Sequence, residues 1–402
     1  MTLPVTAGQW GVVSQPGQSV GATLWRQPGT GKTITAVKGV NQAEKVFDWC
    51  GGAMDPVAGK LYLAACGGHG SSASNESDSF TLADGLWRML RGPSVDLIPS
   101  RYNPTQPSLP YYSDPTGLYG PPGNLIYASR HNYQGQVYHA GKIIQFGGVR
   151  WYDGSGCGAL SWETDAVTGI CAAGDSFMLG WPGGTTPHTA CSACLDTLHD
   201  RVIYCSNGRL RSYDHRLPPG QKAKIIDDGQ ENSNQYIYMS LLHDPVRDRV
   251  VGFGPFSASV NCIVWDALPS GKYQRRVQAL AAPYNAQYSL GNAPLVVRDP
   301  ISGVYWIHPS GGRTLYSMNP DTFAITDIAP TEGVTPDSPE VAGVGWNGTY
   351  NRGGYSIQDD LLIVVHRVQG AVFAYRPLRS SADVTPPGIP SWDSVETVLQ
   401  DA

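Results

Sequence analysis

The feature that most constrains this chain is a phrase that returns six times: an apolar strand, a turn opened by a polar residue, and a second apolar strand. AMDPVAGKLYLAAC carries it at Asp55-Pro56, CLDTLHDRVIYCS at Asp196, LLHDPVRDRVVGFG at Asp244-Pro245 and VVRDPISGVYWIHP at Asp299-Pro300. Two looser copies are GQVYHAGKIIQFGG, around His139 to Lys142, and GYSIQDDLLIVVHR, around Asp359. The turn chemistry is coherent: Pro presets φ, Asp hydrogen-bonds its own downstream backbone, and the apolar run resumes a strand. Copies recur about every 50 to 60 residues, the first interval being lengthened by an insertion; that is the period of a repeat folding as one four-stranded blade.

Each copy continues as a blade should. A patch of small residues follows the second strand (Gly67-Gly68, Gly147-Gly148, Gly311-Gly312), where the lack of a Cβ lets strands approach a crowded axis. A third strand rich in aromatics comes next, as in DSFTLADGLWRML, GRLRSYD, RTLYSMNPDTFAITDI and GAVFAYRPL. No segment carries a convincing helical period. The fold expected is therefore all-β, a six-bladed β-propeller, with blades at about 45–94, 128–183, 187–228, 235–280, 291–330 and 345–378. The last copy ends near Arg376-Pro377 without a fourth strand, while GQWGVVSQ (residues 8–15) is an orphan strand near the N-terminus. It is expected to complete the last blade and close the ring, removing an exposed sheet edge. A Pro- and Tyr-rich insertion (95–127) and a Pro-rich tail (379–402) fall outside the repeat.

A chain of 402 residues exceeds the ordinary single-domain length, but a closed ring escapes that limit because every blade packs on two neighbours. Gly 48 and Pro 31 suit many tight turns. A net charge of -5 excludes a surface that coats nucleic acid, and no apolar run is long enough to span a membrane. The opening MTLPVTAGQWG lacks the basic and apolar regions of a secretory signal. Eight cysteines (50, 66, 157, 171, 191, 194, 205, 262) sit mostly in strand-like runs, so reduced core thiols and a reducing compartment are expected. Cys191 and Cys205 could face each other across a hairpin, which leaves one bridge open at this point.

WCGGAMDPVAGKLYLAACGGHGSSASNESDSFTLADGLWRMLRGPS resembles the first blade of kelch-like, galactose-oxidase-type propeller proteins, many of them encoded by bacteriophages and prophages. GGHG followed by Asn75-Glu76, the YNPTQPSLPYYSD stretch and the Ala-Ser-Arg-His of residues 128–131 carry the likeness, which spans roughly residues 8–378. Cys66 interrupts the usual apolar-Gly run and the fourth blade lacks a glycine doublet. The resemblance implies a kelch-type ring and a structural protein of a virion (tail, fibre, neck or capsid surface), folded in the host cytoplasm before assembly. The implied partners are other virion proteins, reached through 95–127 and 379–402, or a host-surface glycan or protein, with many copies in one assembly.

Motifs of catalysis fail on their chemistry. GTGKT (residues 29–33) looks like a phosphate loop, but the required first glycine would fall at position 26, which is Arg26. Cys191-Ser-Ala-Cys194 with His188 is half a zinc site, and strand alternation points the two thiols to opposite faces. A copper radical oxidase needs Cys, Tyr and His converging on one face, and no spacing selects such a set. A glycosidase or sialidase needs paired carboxylates, and no repeated Asp-box phrase is present. Asn75-Glu-Ser and Asn347-Gly-Thr match a glycan acceptor pattern that has no use without secretion.

The remaining polar group is His69, Asn75 and Glu76 of the first blade with Arg101, Tyr102, Arg130 and His131 flanking the insertion, where loops should meet one face of the ring. It suits a carbohydrate or a protein edge; the competing account makes His69 and Arg130 inter-blade hydrogen-bonding residues. The expectation is a recognition or assembly module with no catalytic residue, cofactor or metal. Its rivals are a carbohydrate-active or copper-dependent propeller and a lectin.

Overall fold

The computed structural model describes residues 5–14, 50–64, 77–91, 131–148, 161–176, 191–206, 208–227, 229, 239–254, 261–280, 293–309, 315–328, 349–365 and 371–379, with a few further short strands described by backbone alone. Among them every regular element is a strand, and six four-stranded antiparallel sheets make the blades of a β-propeller. Blade 1 is Ala53–Asp55, Lys60–Ala64, Ser77–Thr81 and Leu86–Arg91; blade 2 is Gln136–His139, Lys142–Gln145, Leu160–Asp165 and Cys171–Ser176. Blade 3 is Ser192–Asp196, Arg201–Ser206, Arg209–Tyr213 and Ala223–Ile225; blade 4 is Ser240–Asp244, Arg249–Phe253, Asn261–Ala267 and Tyr273–Ala279. Blade 5 is Leu295–Arg298, Tyr305–His308, Leu315–Met318 and Ile325–Ile328. Blade 6 is Gly353–Ser356, Leu361–Val364, Val372–Tyr375 and, as its outer strand, Trp10–Ser14.

The sequence phrase is the first two strands of each blade. The first strands touch one another in cyclic order, that of blade 6 returning to blade 1, so they line the axis. The second strands are continuous apolar runs because both of their faces are buried between neighbouring blades. In LYLA of blade 1, Leu61 and Leu63 pack toward blade 6 with Leu361 and Ile363, while Tyr62 and Ala64 pack toward blade 2 with Ile143 and Trp162. The same division holds around the ring, giving six apolar clusters, one per seam. Burial of each Leu, Ile or Val in such a cluster stabilises by about 1.5–3 kcal/mol, so the core is distributed rather than central.

Closure follows the sequence expectation. Trp10 pairs with Tyr375, Gly11 with Ala374 and Val12 with Phe373, antiparallel. Gly8 N donates to Arg376 O at 2.8 Å, and Arg376 Nε donates to Val5 O at 2.9 Å. Trp10 is buried, edge-on to His308 of blade 5. The closing strand also runs tight against blade 1: Gly85 has φ +70°, and a Cβ there would collide with the Val13 carbonyl oxygen.

Of the insertion, Leu118–Tyr119 and Ile126–Tyr127 are described and pair with each other; the tail beyond Arg379 and residues 29–32 of GTGKT lie outside the described residues. Six cysteines are buried free thiols, and Cys66, Cys157 and His188 lie outside the described residues. The bridge left open between Cys191 and Cys205 does not form: the hairpin register sets Ser192 opposite Cys205. Cys191 packs in the seam with blade 2 and Cys205 in the seam with blade 4. Cys194 shares the latter seam, so Cys191 and Cys194 lie in different seams.

Candidate functional site

The residues expected to gather on one face are mostly beyond description. His69, Asn75 and Glu76, in the connection after Lys60–Ala64, and Arg101 and Tyr102, after Leu86–Arg91, lie outside the described residues. Arg130 and His131 form a two-residue strand paired with Val149–Arg150. His131 is buried, its ring edge-on to Tyr133 at 6.2 Å. Around it, buried polar groups tie blades together. Ala64 O accepts from Asn132 Nδ2 (3.2 Å), Gln136 Nε2 (3.1 Å) and Gln145 Nε2 (2.7 Å), while Gly51 N donates to Asn132 Oδ1 (2.8 Å). Arg352, also buried, donates to Cys50 O at 2.8 Å and Val365 O at 3.1 Å, joining blade 6 to blade 1.

The opposite face, formed by the turns between first and second strands, is described in detail and is chemically richer. Each turn-opening Asp uses one oxygen to cap its own turn. Asp55 Oδ1 accepts from Val57 N and Ala58 N, both at 3.0 Å; Asp244 Oδ1 accepts from Val246 N at 3.1 Å and Asp299 Oδ1 from Ile301 N at 2.9 Å. The carboxylate also faces the next blade, at the residue just before that blade's own turn-opening position. Asp55 meets Tyr138, Asp196 meets His243 (3.4 Å), Asp244 meets Arg298 (3.2 Å) and Asp299 lies beside Tyr355. In the other two seams the strand ends in His139 or Ser356 instead of Asp, and the next blade presents Leu195 or Met54 at the matching position. The polar pair is present or absent as a unit. A buried carboxylate without a donor would be costly, and so would a buried donor without a carboxylate.

Blade 4 also meets blade 5 through a tyrosine of the second strand. Tyr305 Oη donates to Asp244 Oδ2 at 2.6 Å and Arg247 Nη1 to the same oxygen at 2.9 Å. Although burial alone would raise it, donors and cations around Asp244 hold its carboxyl below the ordinary carboxylate value. Between blades 5 and 6, Arg379 reaches Asp299 through Nη1 (2.5 Å) and Nη2 (3.2 Å) and Asp360 through Nε (3.1 Å). Arg379, the last described residue, therefore lies on this face.

Four of the described histidines stand here, around blade 3. Between blades 2 and 3, His139 Nε2 lies 3.0 Å from Asp200 Oδ1, and the His139 and His215 rings meet edge-on at 5.1 Å. Burial first, then the neighbouring His139, pushes His215 down to about 4. Arg216 occupies Asp214 through Nε (2.8 Å) and Nη2 (3.1 Å). Between blades 3 and 4, His199 Nδ1 lies 2.9 Å from Asp196 Oδ2 and 3.2 Å from Oδ1, and His243 Nε2 lies 3.5 Å from Asp248 Oδ1. Tyr273 Oη donates to Asp248 Oδ1 at 2.7 Å and Arg201 Nε to Asp196 Oδ2 at 2.8 Å.

The same turns carry aliphatic side chains into solvent: Val57 is 51% exposed, Leu198 50%, Val246 55% and Ile357 41%. Sequence reasoning read these turns as punctuation and passed over His199, His215, His243 and the aliphatic tips. The signal that could have found them is alignment of the six copies on one another: that puts Val57, Leu198 and Val246 in one column, and His243 beside Arg298 and Tyr355 in another.

The sequence matches no protein-family model and no curated protein. Solved structures similar in fold include a structural genomics protein of unknown function from Bacteroides thetaiotaomicron, 9% identical, covering 92% of this chain and 75% of that chain, TM-score 0.47. An auxiliary nutrient binding protein from the same organism is 9% identical over 82% of this chain and 72% of that chain, TM-score 0.42. Virginiamycin B lyase from Staphylococcus aureus is 10% identical over 84% of this chain and 87% of that chain, TM-score 0.36. At such identities and scores these likenesses concern fold and carry no argument about what this six-bladed β-propeller binds.

Proposed function

We propose that the chain is a non-catalytic docking propeller of the kelch type, a structural protein of a bacteriophage particle that holds another protein of the assembly through its turn face. The observation that carries this reading is the set of exposed aliphatic tips, Val57, Leu198, Val246 and Ile357. Single exposed apolar residues are commonplace, but here they recur on equivalent turns of four blades. Each tip is presented by a turn whose opening residue is buried: Asp55, Asp196, Asp244 or Ser356. A preorganised apolar surface loses little entropy on association, which suits a permanent assembly. The virion setting rests on the resemblance of the first blade and insertion to phage-encoded propellers. The Pro-rich insertion and the tail leaving at Arg379 are docking arms on composition, extended segments already stiffened by Pro.

The test is co-expression with the products of neighbouring genes, followed by light scattering of the purified complex. A Val57→Asp/Leu198→Asp/Val246→Asp variant is expected to keep its melting transition and lose association. Undiminished association of that variant, or turnover of the wild-type chain on a panel of glycans, overturns the reading.

A further inference from the structure

We propose that the seam between blades 3 and 4 is a binding site for a divalent transition-metal ion, zinc being best suited, with Asp196, His199 and His243 as ligands. Asp196 Oδ1 lies 3.2 Å from His199 Nδ1 and 3.4 Å from His243 Nε2, while the other carboxylate oxygen, Oδ2, meets His199 Nδ1 at 2.9 Å, a hydrogen bond that an ion would replace. Donors bound to one tetrahedral ion at 2.0–2.2 Å stand about 3.3–3.5 Å apart, whereas a charge-assisted hydrogen bond closes to about 2.7–2.9 Å. The seam between blades 4 and 5, by contrast, is closed by Tyr305 on Asp244 at 2.6 Å, and that between 5 and 6 by Arg379 on Asp299 at 2.5 Å. Here the His243 contacts stay long on both sides, 3.4 Å to Asp196 and 3.5 Å to Asp248, as ligand spacing requires.

The surroundings fit an ion. The His243 side chain is fully buried and its Nδ1 has no hydrogen-bond partner, so the ring is held only through Nε2, the atom facing the carboxylates. Arg201 Nε donates to Oδ2 of Asp196 and the His199 amide to Oδ1 at 3.0 Å, which orients the carboxylate with Oδ1 toward the two imidazoles. Asp248, fixed by Tyr273, stands beside the position a fourth ligand or a water would take. His199 is 40% exposed on its side chain, which gives the ion a route in. Two imidazoles and one carboxylate form a donor set of intermediate softness, the kind that takes zinc rather than calcium or magnesium. Three protein ligands leave one position open. In the neighbouring cluster of His139, Asp214 and His215, Arg216 spans both oxygens of Asp214, whereas Arg201 takes only one oxygen of Asp196. An ion in the proposed site cross-links the turn of blade 3 to the innermost strand of blade 4.

The experiment uses the full chain, stripped with chelator and titrated with zinc at neutral pH by calorimetry, with cobalt absorption as a second readout. One ion per chain is expected, with the visible bands of a tetrahedral cobalt site and a rise in melting temperature on zinc addition. His199→Ala, a half-exposed position whose loss leaves the seam packed, removes a direct ligand and is expected to weaken zinc binding by more than about 10-fold and to shrink the melting shift. His243→Asn is expected to do the same, and His215→Ala to bind zinc as the wild type does. Absence of saturable zinc binding by the wild-type chain, or unchanged affinity in both His199→Ala and His243→Asn, overturns the proposal. So does loss of binding on His215→Ala alone.

Discussion

A carboxylate has two oxygens, and the turn-opening aspartates use them for two jobs at once: shaping the local turn and joining the next blade. Asp244 shows the consequence. Its side chain is fully buried between blades 4 and 5, where it meets Tyr305, Arg247 and Arg298. Asp244→Ala leaves the Arg298 guanidinium without its counter-charge and the Tyr305 hydroxyl without its acceptor, and it is expected to cost about 3–5 kcal/mol in denaturant unfolding. A loss within the range of a surface substitution would show that the seam holds without the charge. His215 makes a separate prediction, about pH. Its folded value of about 4 lies below the ordinary histidine value of about 6.5, so between the two the unfolded chain binds the extra proton. The linked stability is fully present above about 6.5 and is lost as pH falls toward the folded value. Denaturation midpoints of wild type and His215→Gln, compared across that window, should converge as pH falls; parallel curves would exclude a buried neutral imidazole.

At the scale of the element, the strand is where sequence and structure agree best, and the reason is burial on both sides. A run such as RVIYCS sends Val202 and Tyr204 to one seam and Ile203 and Cys205 to the other, so it cannot alternate apolar with polar and stands out in the sequence. The turn was legible for a different reason: Asp-Pro and Asp-Thr encode local geometry. What a turn residue meets across the seam is not local. Nothing near His243 in sequence points to Asp196, which lies in the preceding blade, and the pairing of Tyr138 with Asp55 spans the whole insertion. Leu195 after His139, and Met54 after Ser356 around the ring, follow the same rule in the negative. The candidate face inferred from GGHG and the Ala-Ser-Arg-His stretch rested on loops, whose side chains carry no period to read. The turn face was written in the repeats and needed all six copies compared.

For the whole molecule, the decisive object is the joint between its ends. The described chain starts at Val5 and, after one circuit, reaches Arg376, whose guanidinium bonds the Val5 carbonyl; between them Trp10–Ser14 completes the sheet of blade 6. If the ring is one cooperative unit, the order in which blades follow in the sequence should matter little, provided that each seam can form. A circular permutant tests this: residues near 5 and 379 are linked, and new ends are opened in the connection between blades 3 and 4. The closing strand then continues blade 6 covalently, and the seam between blades 3 and 4 forms without a chain connection. The permutant is expected to keep the far-ultraviolet spectrum of the parent and to melt in one transition. Deletion of residues 1–14, by contrast, bares the edge Val372–Tyr375 and removes Trp10 from its seam, so that variant is expected to melt earlier and associate through the open edge. Two transitions in the permutant, one for each arc of three blades, would mean that stability passes from blade to blade along the chain rather than around the ring.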